Sequence, residues 1–308
     1  MTVQKTKTAV VWRFSDGRPG HDTQSIGLLS ALGDCIALDC FDITLPATGW
    51  NPVTLITGKL FSGKNLPDPD LLVGAGHATH LAMLSARCKR GGKTVVLMKP
   101  SLPYWCFDYC LVPEHDHPPI RNNIITTRGA INSVKTSSSH DPARGLILLG
   151  GPSKHYAWQP DAIIRQLEEI INHGPGVQWI ITDSPRTPEG ILELLAKQHW
   201  NNVQLTSRLN IDTRGLHELY RTCATIWVSE DSVSMVFEAL TSGARVGILS
   251  MPGKSQGKIA NTIDGLAQAN HVTLFQDWIN NKLMKDPLPN FNEASRCADI
   301  LTTRLLES

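Results

Sequence analysis

No run of about 18 consecutive apolar residues occurs in this 308-residue sequence, so it contains no candidate for a membrane-spanning helix. Its opening residues, MTVQKTKTAV, lack the apolar core of a secretion signal, and a cytoplasmic location is the expectation. Lys and Arg are nowhere concentrated among aromatic residues, and the formal net charge is only +1. That excludes the footprint of a nucleic-acid groove and favours a small-molecule partner. The seven cysteines are odd in number and contain no CxxC pair, which argues against a disulfide framework and for a reducing compartment. Cys106 and Cys110 read as core fillers. A zinc site would need a second closely spaced pair of ligands, so no metal and no cofactor is expected.

What the chain does contain is the material of a folded enzyme: 41% hydrophobic and 19% charged residues, in a length that suits two domains. AVVWRF (9–14) reads as a buried strand, broken by DGRPGH before a helix carrying Ile26, Leu28, Leu29 and Leu32. The pattern recurs in LLVGAGH, ATHLAMLSARC, TVVLMKP and FDYCLVPEHD. A polar stretch, KTSSSHDPARG at about 135–145, reads as the domain boundary, after which LILLGGPS restarts the alternation. Further strands are read in VQWIITD, NVQLTS, TIWVSEDS and RVGILS, with helices between them. Strands alternating with helices imply parallel sheets. The expected architecture is therefore α/β, two doubly wound Rossmann-like domains: 1–140, 141–290, and a C-terminal helix over 291–308 that packs back on the first domain.

In such sheets, ligands bind beyond the carboxyl ends of the strands, and the chemistry-bearing residues cluster there. VSEDSVSMVFEALTSG places Ser229, Asp231, Ser232 and Ser234 around a helix start, where free backbone N–H groups and the helix dipole favour an anion. Glu238, further along, suits the hydroxyls of a ribose. Simple capping by Asp231 or Ser232 would explain one of these residues but not the group. Gly151 and Ser153 in GGPSK, and Ser184 and Arg186 in SPRTP, follow the first two strands of the second half and suit a diphosphate. In the first half, Gly17 and Gly20 let backbone approach a substrate. His21 is a candidate general base, with Asp16 to orient it or take the proton itself. His77 follows another strand. Glu114, His115, Asp116 and His117 invite a metal reading, but a cleft-lining role for His115 or Asp116 fits the irregular, Pro-flanked loop better.

DGRPGH with Gln24 and GLLSAL, PDLLVGAG, FDYCLVPEHD, TTRGAIN, LILLGGPSK, SPRTP and SEDSVSMVFEALTSGARV together resemble the mitochondrial-fission family named for elongated-mitochondria mutants, across nearly the whole chain. The bacterial branch of that family is described as glycosyltransferase-like. More distantly, the chain resembles the lipid-linked GlcNAc transferases of cell-wall synthesis. The resemblance implies a GT-B architecture with an interdomain nucleotide-sugar site, His21 facing the acceptor, Glu238 on the ribose, and Ser232 and Ser234 on the diphosphate. It also implies a nucleotide-sugar donor, a glycan or lipid-linked acceptor, and peripheral membrane association. A metal-independent sugar transferase, working in cell-envelope glycan synthesis, is the first functional expectation. A non-catalytic adaptor and a nucleotide-sugar epimerase are the alternatives, since fold alone does not fix activity.

Overall fold

In a computed structural model of the chain, the apolar runs become two parallel sheets of six strands each. The structure describes residues 8–45, 65–252 and 257–306. Two compact units divide the chain, Met1–Ser133 with Glu293–Ser308, and Val134–Asn292.

The first unit contains β1 (Ala9–Ser15), α1 (Pro19–Cys35), β2 (Leu38–Thr44), β3 (Leu71–Ala75), α2 (His80–Arg90), β4 (Lys93–Leu97), β5 (Tyr109–Pro113) and β6 (Ile124–Thr127). Strand order is β2-β1-β3-β4-β5-β6, and every pairing is parallel. The strands read as continuous apolar runs because both faces of the sheet are covered. Residues alternate between two cores. Val11, Leu71, Val73, Leu97 and Leu111 face one, while Trp12, Phe14, Leu72, Val96 and Val112 face the other. Leu28, Leu29 and Leu32 of α1 cover the first face. Ala82, Met83 and Ala86 of α2 cover the second. Ile26, grouped with the leucines on sequence, is instead 46% exposed. Gly27 brings α1 against the backbone at Asn132, whose carbonyl oxygen would lie 2.3 Å from an added Cβ.

The second unit runs β7 (Asp141–Leu148), α3 (Pro160–His173), β8 (Gln178–Thr182), α4 (Ile191–Ala196), β9 (Val203–Thr206), α5 (Thr213–Thr222), β10 (Cys223–Ser229), α6 (Val233–Ser242), β11 (Arg245–Leu249), α7 (Lys258–Gln268), β12 (Thr273–Leu274) and α8 (Phe275–Asn281). Its order is β12-β11-β10-β7-β8-β9. The polar residues Asp141–Arg144, read as linker, belong to β7. Backbone pairing of Asp141 with Cys223 of β10 and of Arg144 with Gln178 of β8 recruits them, although the side chains of 141–143 are exposed. Leu146, Leu148, Val228, Val236 and Phe237 fill one core. Ile147, Leu149, Ile163, Trp227 and Trp278 fill the other. Gly247 is required beside Trp227, whose ring would lie 2.4 Å from an added Cβ.

The last helix, α9 (Glu293–Leu306), belongs to the first unit. Its Ala294, Cys297, Ala298 and Leu301 join the core built by α1, and Glu293 accepts the Arg128 N–H at 3.0 Å. Among the described residues, no helix is long and apolar enough to cross a membrane. Leu301 is wholly buried, so Leu301→Ala is expected to cost about 2–5 kcal/mol. Hydrogen exchange would read this as lost protection in β1, β3 and α1.

Candidate functional site

Each sheet has one point where its winding reverses. In the first unit the chain goes from β1 to β2 on one side and then to β3 on the other. In the second it winds from β7 to β8 and β9, then crosses back to β10. At such a point neighbouring strands send their loops to opposite faces of the sheet, and a crevice opens between them. The residues after β1 and β3, and those after β7 and β10, therefore form two candidate sites, one in each unit.

At the first reversal, Asp16 and His21 form a pair. His21 Nδ1 lies 2.9 Å from Asp16 Oδ2 and 3.1 Å from Oδ1, and the Asp16 side chain is only 6% exposed. An ionised carboxylate only accepts, so the contact places hydrogen on Nδ1 and leaves Nε2 as the basic nitrogen. Gly17 turns the chain at φ +74, and Asp16 Oδ1 accepts the Arg18 N–H at 3.2 Å. Pro19 opens α1, and Gly20 and His21 lie in its first turn. Gly76, at the exit of β3, has φ +81, and its missing Cβ would stand 2.3 Å from His21 Cε1. The imidazole thus rests on backbone that only glycine leaves open. His77 follows, exposed, in a short 3-10 turn.

Beneath this pair lies Arg13, which sequence reasoning passed over. It sits in β1 at 9% exposure, grips both Asp42 oxygens at 2.7 Å, and reaches Asp22 at 2.9 Å and Ser25 Oγ at 3.3 Å. The guanidinium holds the Asp42 carboxyl below its usual pKa. An arginine inside an apolar strand requires such partners, and that was the available signal. His80 is likewise buried, with Nδ1 3.2 Å from Ser101 Oγ, and desolvation brings its pKa down to about 4. His115 and Asp116, 3.9 Å apart, lie beyond β5, two strands along the sheet from β3. Among the described residues, no group of three His, Cys, Asp or Glu is arranged to hold a metal.

At the second reversal, a buried carboxylate ties three loops. Asp231 Oδ2 accepts the Gly151 N–H at 3.1 Å and the Arg186 Nη2 at 2.8 Å. Ser229 Oγ accepts the Gly150 N–H at 2.7 Å. Both glycines are needed for this approach: an added Cβ at Gly150 would lie 2.2 Å from Asp231 Oδ1, and one at Gly151 1.9 Å from the Arg186 carbonyl. Thr187, also unremarked on sequence, donates to the carbonyls of Leu149 or Gly150 and accepts the Ser184 N–H at 2.7 Å. Ser184 Oγ meets Thr187 Oγ1 at 3.0 Å, and Ser153 Oγ serves its own turn, accepting the Tyr156 N–H at 3.2 Å. The Arg186 side chain is 48% exposed, so its outer face is open.

Neither Asp231 nor Ser232 caps the helix. Asp231 points into the loop cluster, and Ser232, the residue before α6, makes no side-chain bond to the helix. The first amides of α6 are therefore left without a side-chain acceptor, the arrangement that attracts an anion. Ser234 is exposed in the same turn, and half-buried Glu238 lies one turn further, its Oε2 accepting the Tyr220 hydroxyl at 2.9 Å. Gly151, Arg186, Ser229 and Asp231 are thus one cluster, with Ser232, Ser234 and Glu238 strung along the adjoining helix. Gly150→Ala is expected to destabilise by about 1–3 kcal/mol by overpacking. Much of that loss should disappear in the Asp231→Ala background when urea midpoints are compared in a double-mutant cycle.

The fold recurs in solved structures at low sequence identity. The chain is similar to the Neisseria meningitidis UDP-GlcNAc 2-epimerase bound to UDP-GlcNAc, with TM-score 0.56 and 12% identity over 97% of this chain and 100% of that one. The glycosyltransferase of kitacinnamycin matches with TM-score 0.56 and 12% identity over the same shares. By sequence, the chain is 23% identical to the uncharacterized protein RP120 of Rickettsia prowazekii (strain Madrid E), over 94% of this chain and 97% of that one. Two Rossmann-like units of the GT-B type are what these likenesses show. The mitochondrial fission ELM1 family model matches residues 19–305, and the chain belongs to that family.

Proposed function

We propose that the protein is a sugar transferase that binds a nucleotide-sugar donor on its second unit and activates a hydroxyl acceptor on its first. The observation that carries this reading is the uncapped start of α6 beside the open face of Arg186 at the second sheet reversal. Unsatisfied helix amides and a guanidinium suit a diphosphate, because both donate to its oxygens and oppose its charge. Ser232 and Ser234 add hydroxyl donors, and Glu238 accepts from the ribose. The UDP-GlcNAc held by the similar Neisseria enzyme makes UDP the first nucleotide to try.

The Asp16–His21 pair favours transfer over epimerisation, because a base with one oriented and one free nitrogen suits a separate acceptor. In the step, His21 Nε2 takes the acceptor's hydroxyl proton while that oxygen attacks the anomeric carbon with inversion. The bond from that carbon to the diphosphate breaks, and the nucleoside diphosphate leaves with its negative charge met by the α6 amides and Arg186. Asp16 stabilises the imidazolium that forms. The acceptor class, a glycan or a lipid-linked sugar, follows from the family resemblance.

Thermal unfolding in the presence of UDP, GDP, CMP and their sugars tests the donor half. A nucleotide at one hundred times its Kd adds about 2.7 kcal/mol to folded-state stability and should raise Tm by several degrees. His21→Ala is expected to keep that shift while lowering transfer about a hundredfold to ten-thousandfold. Stabilisation by none of the nucleotides would remove the donor reading. Transfer at the parent rate by His21→Ala would remove the base. A protein that binds none of these nucleotides and shows no turnover would favour the adaptor reading.

A further inference from the structure

Tyr220 lies on α5, 1% exposed, and its ring packs in the core beneath α6 with Val236, Phe237 and Leu240. Its hydroxyl is directed out of that core to Glu238 Oε2 at 2.9 Å. Among the described residues, Glu238 Oε1 has no hydrogen-bond partner, and it is not one of the sealed polar atoms of the core. Glu238 is five residues past Val233, about 7 Å along the helix axis from the open amides, on the same side as exposed Ser234 by its i, i+4 spacing.

We infer that Tyr220 is the positioning residue for Glu238, holding its carboxylate by one oxygen so that the other accepts the ribose hydroxyls of the donor. The site would thereby select ribonucleotides over nucleotides that lack the diol. This rests on the donor reading above and adds to it a residue that touches no substrate.

A carboxylate on a helix can adopt several rotamers, and fixing one before the ligand arrives removes an ordering cost from binding. Tyr220 suits the task because burial holds its phenol well above the usual pKa, so it remains a donor. Burial raises the Glu238 pKa, and the bond from Tyr220 opposes that rise. The hydroxyl therefore supports the ionised form, which is the better acceptor.

The test is calorimetric binding of UDP and of 2′,3′-dideoxy-UDP to the full chain and to Tyr220→Phe, Glu238→Gln and the double variant. Phe retains the buried ring, and the thermal midpoint verifies folding. Tyr220→Phe is expected to weaken UDP about five- to twentyfold and dideoxy-UDP by less than twofold. The double variant should be no weaker than Glu238→Gln alone, because the tyrosine acts through the carboxylate. Glu238→Asp is a second probe, since a side chain shorter by one methylene cannot span from Tyr220 to the diol. It too should lose the preference for UDP. The inference is overturned if Tyr220→Phe weakens both nucleotides equally or neither, or if Glu238→Asp keeps the full preference. If UDP fails to bind the parent chain, the donor reading falls and this inference with it. If UDP binds and only the variants behave otherwise, the donor reading stands alone.

Discussion

The second unit depends on one buried carboxylate. Asp231 sits between the ends of β7 and β10, and by accepting from Gly151 and Arg186 it fixes the loop after β7 and the loop after β8 against its own. An aspartate placed after a strand and just before a helix would ordinarily cap that helix. Here it turns inward, and the consequences are linked. The loops it joins can approach only because Gly150 and Gly151 have no side chains. The guanidinium of Arg186 is aimed before any ligand arrives. The helix beside it keeps its amides open. A protein that filled those amides with its own carboxylate would gain about 1 kcal/mol of capping and forfeit the anion site proposed above.

The first unit solves a similar problem with an arginine. Arg13 is buried in a strand and shared among Asp42, Asp22 and Ser25, so the entry of α1 is tied to β1 and β2 from below. Above it, Asp16 and Gly76 hold His21 from two sides. In both units, then, the group of interest, half-buried His21 or half-exposed Arg186, is held by a more deeply buried carboxylate, Asp16 or Asp231. That order matters for preorganisation, since a rotamer locked by buried partners does not have to be ordered again on binding.

How much of this was legible in the sequence depended on where each residue's partners lie. AVVWRF, LLVGA and LILL announced themselves as strands because a parallel sheet covered on both faces demands unbroken apolar runs. The edge strand β2, with only Ile43 fully buried, has its apolar residues interrupted by Asp39 and Asp42 and lacks that signature. β12 is two residues long, too short for any pattern. Asp141–Arg144 look like linker by side chain and are strand by backbone. The strand-end rule directed attention to His21, Asp16, Asp231 and Arg186. It was silent on what joins them, because the Asp231–Arg186 contact spans 45 residues and the Arg13–Asp42 contact 29. Tyr220 gave no local sign of a role, being an apolar-face residue of an amphipathic helix whose function lies in the direction of one hydroxyl.

The return of α9 to the first unit has a consequence for biosynthesis. Residues 134–292 form a contiguous unit and can complete their core as soon as they have left the ribosome. The first unit, although made earlier, must wait: Cys297, Ala298 and Leu301 are wholly buried beside α1, and until they are synthesised the part of that core that they complete is open to water. Domains usually finish in the order in which they are made. In this chain the order is reversed. The unit that carries His21 closes last, and the exposed apolar face it shows meanwhile is the stretch of the nascent protein most in need of a chaperone.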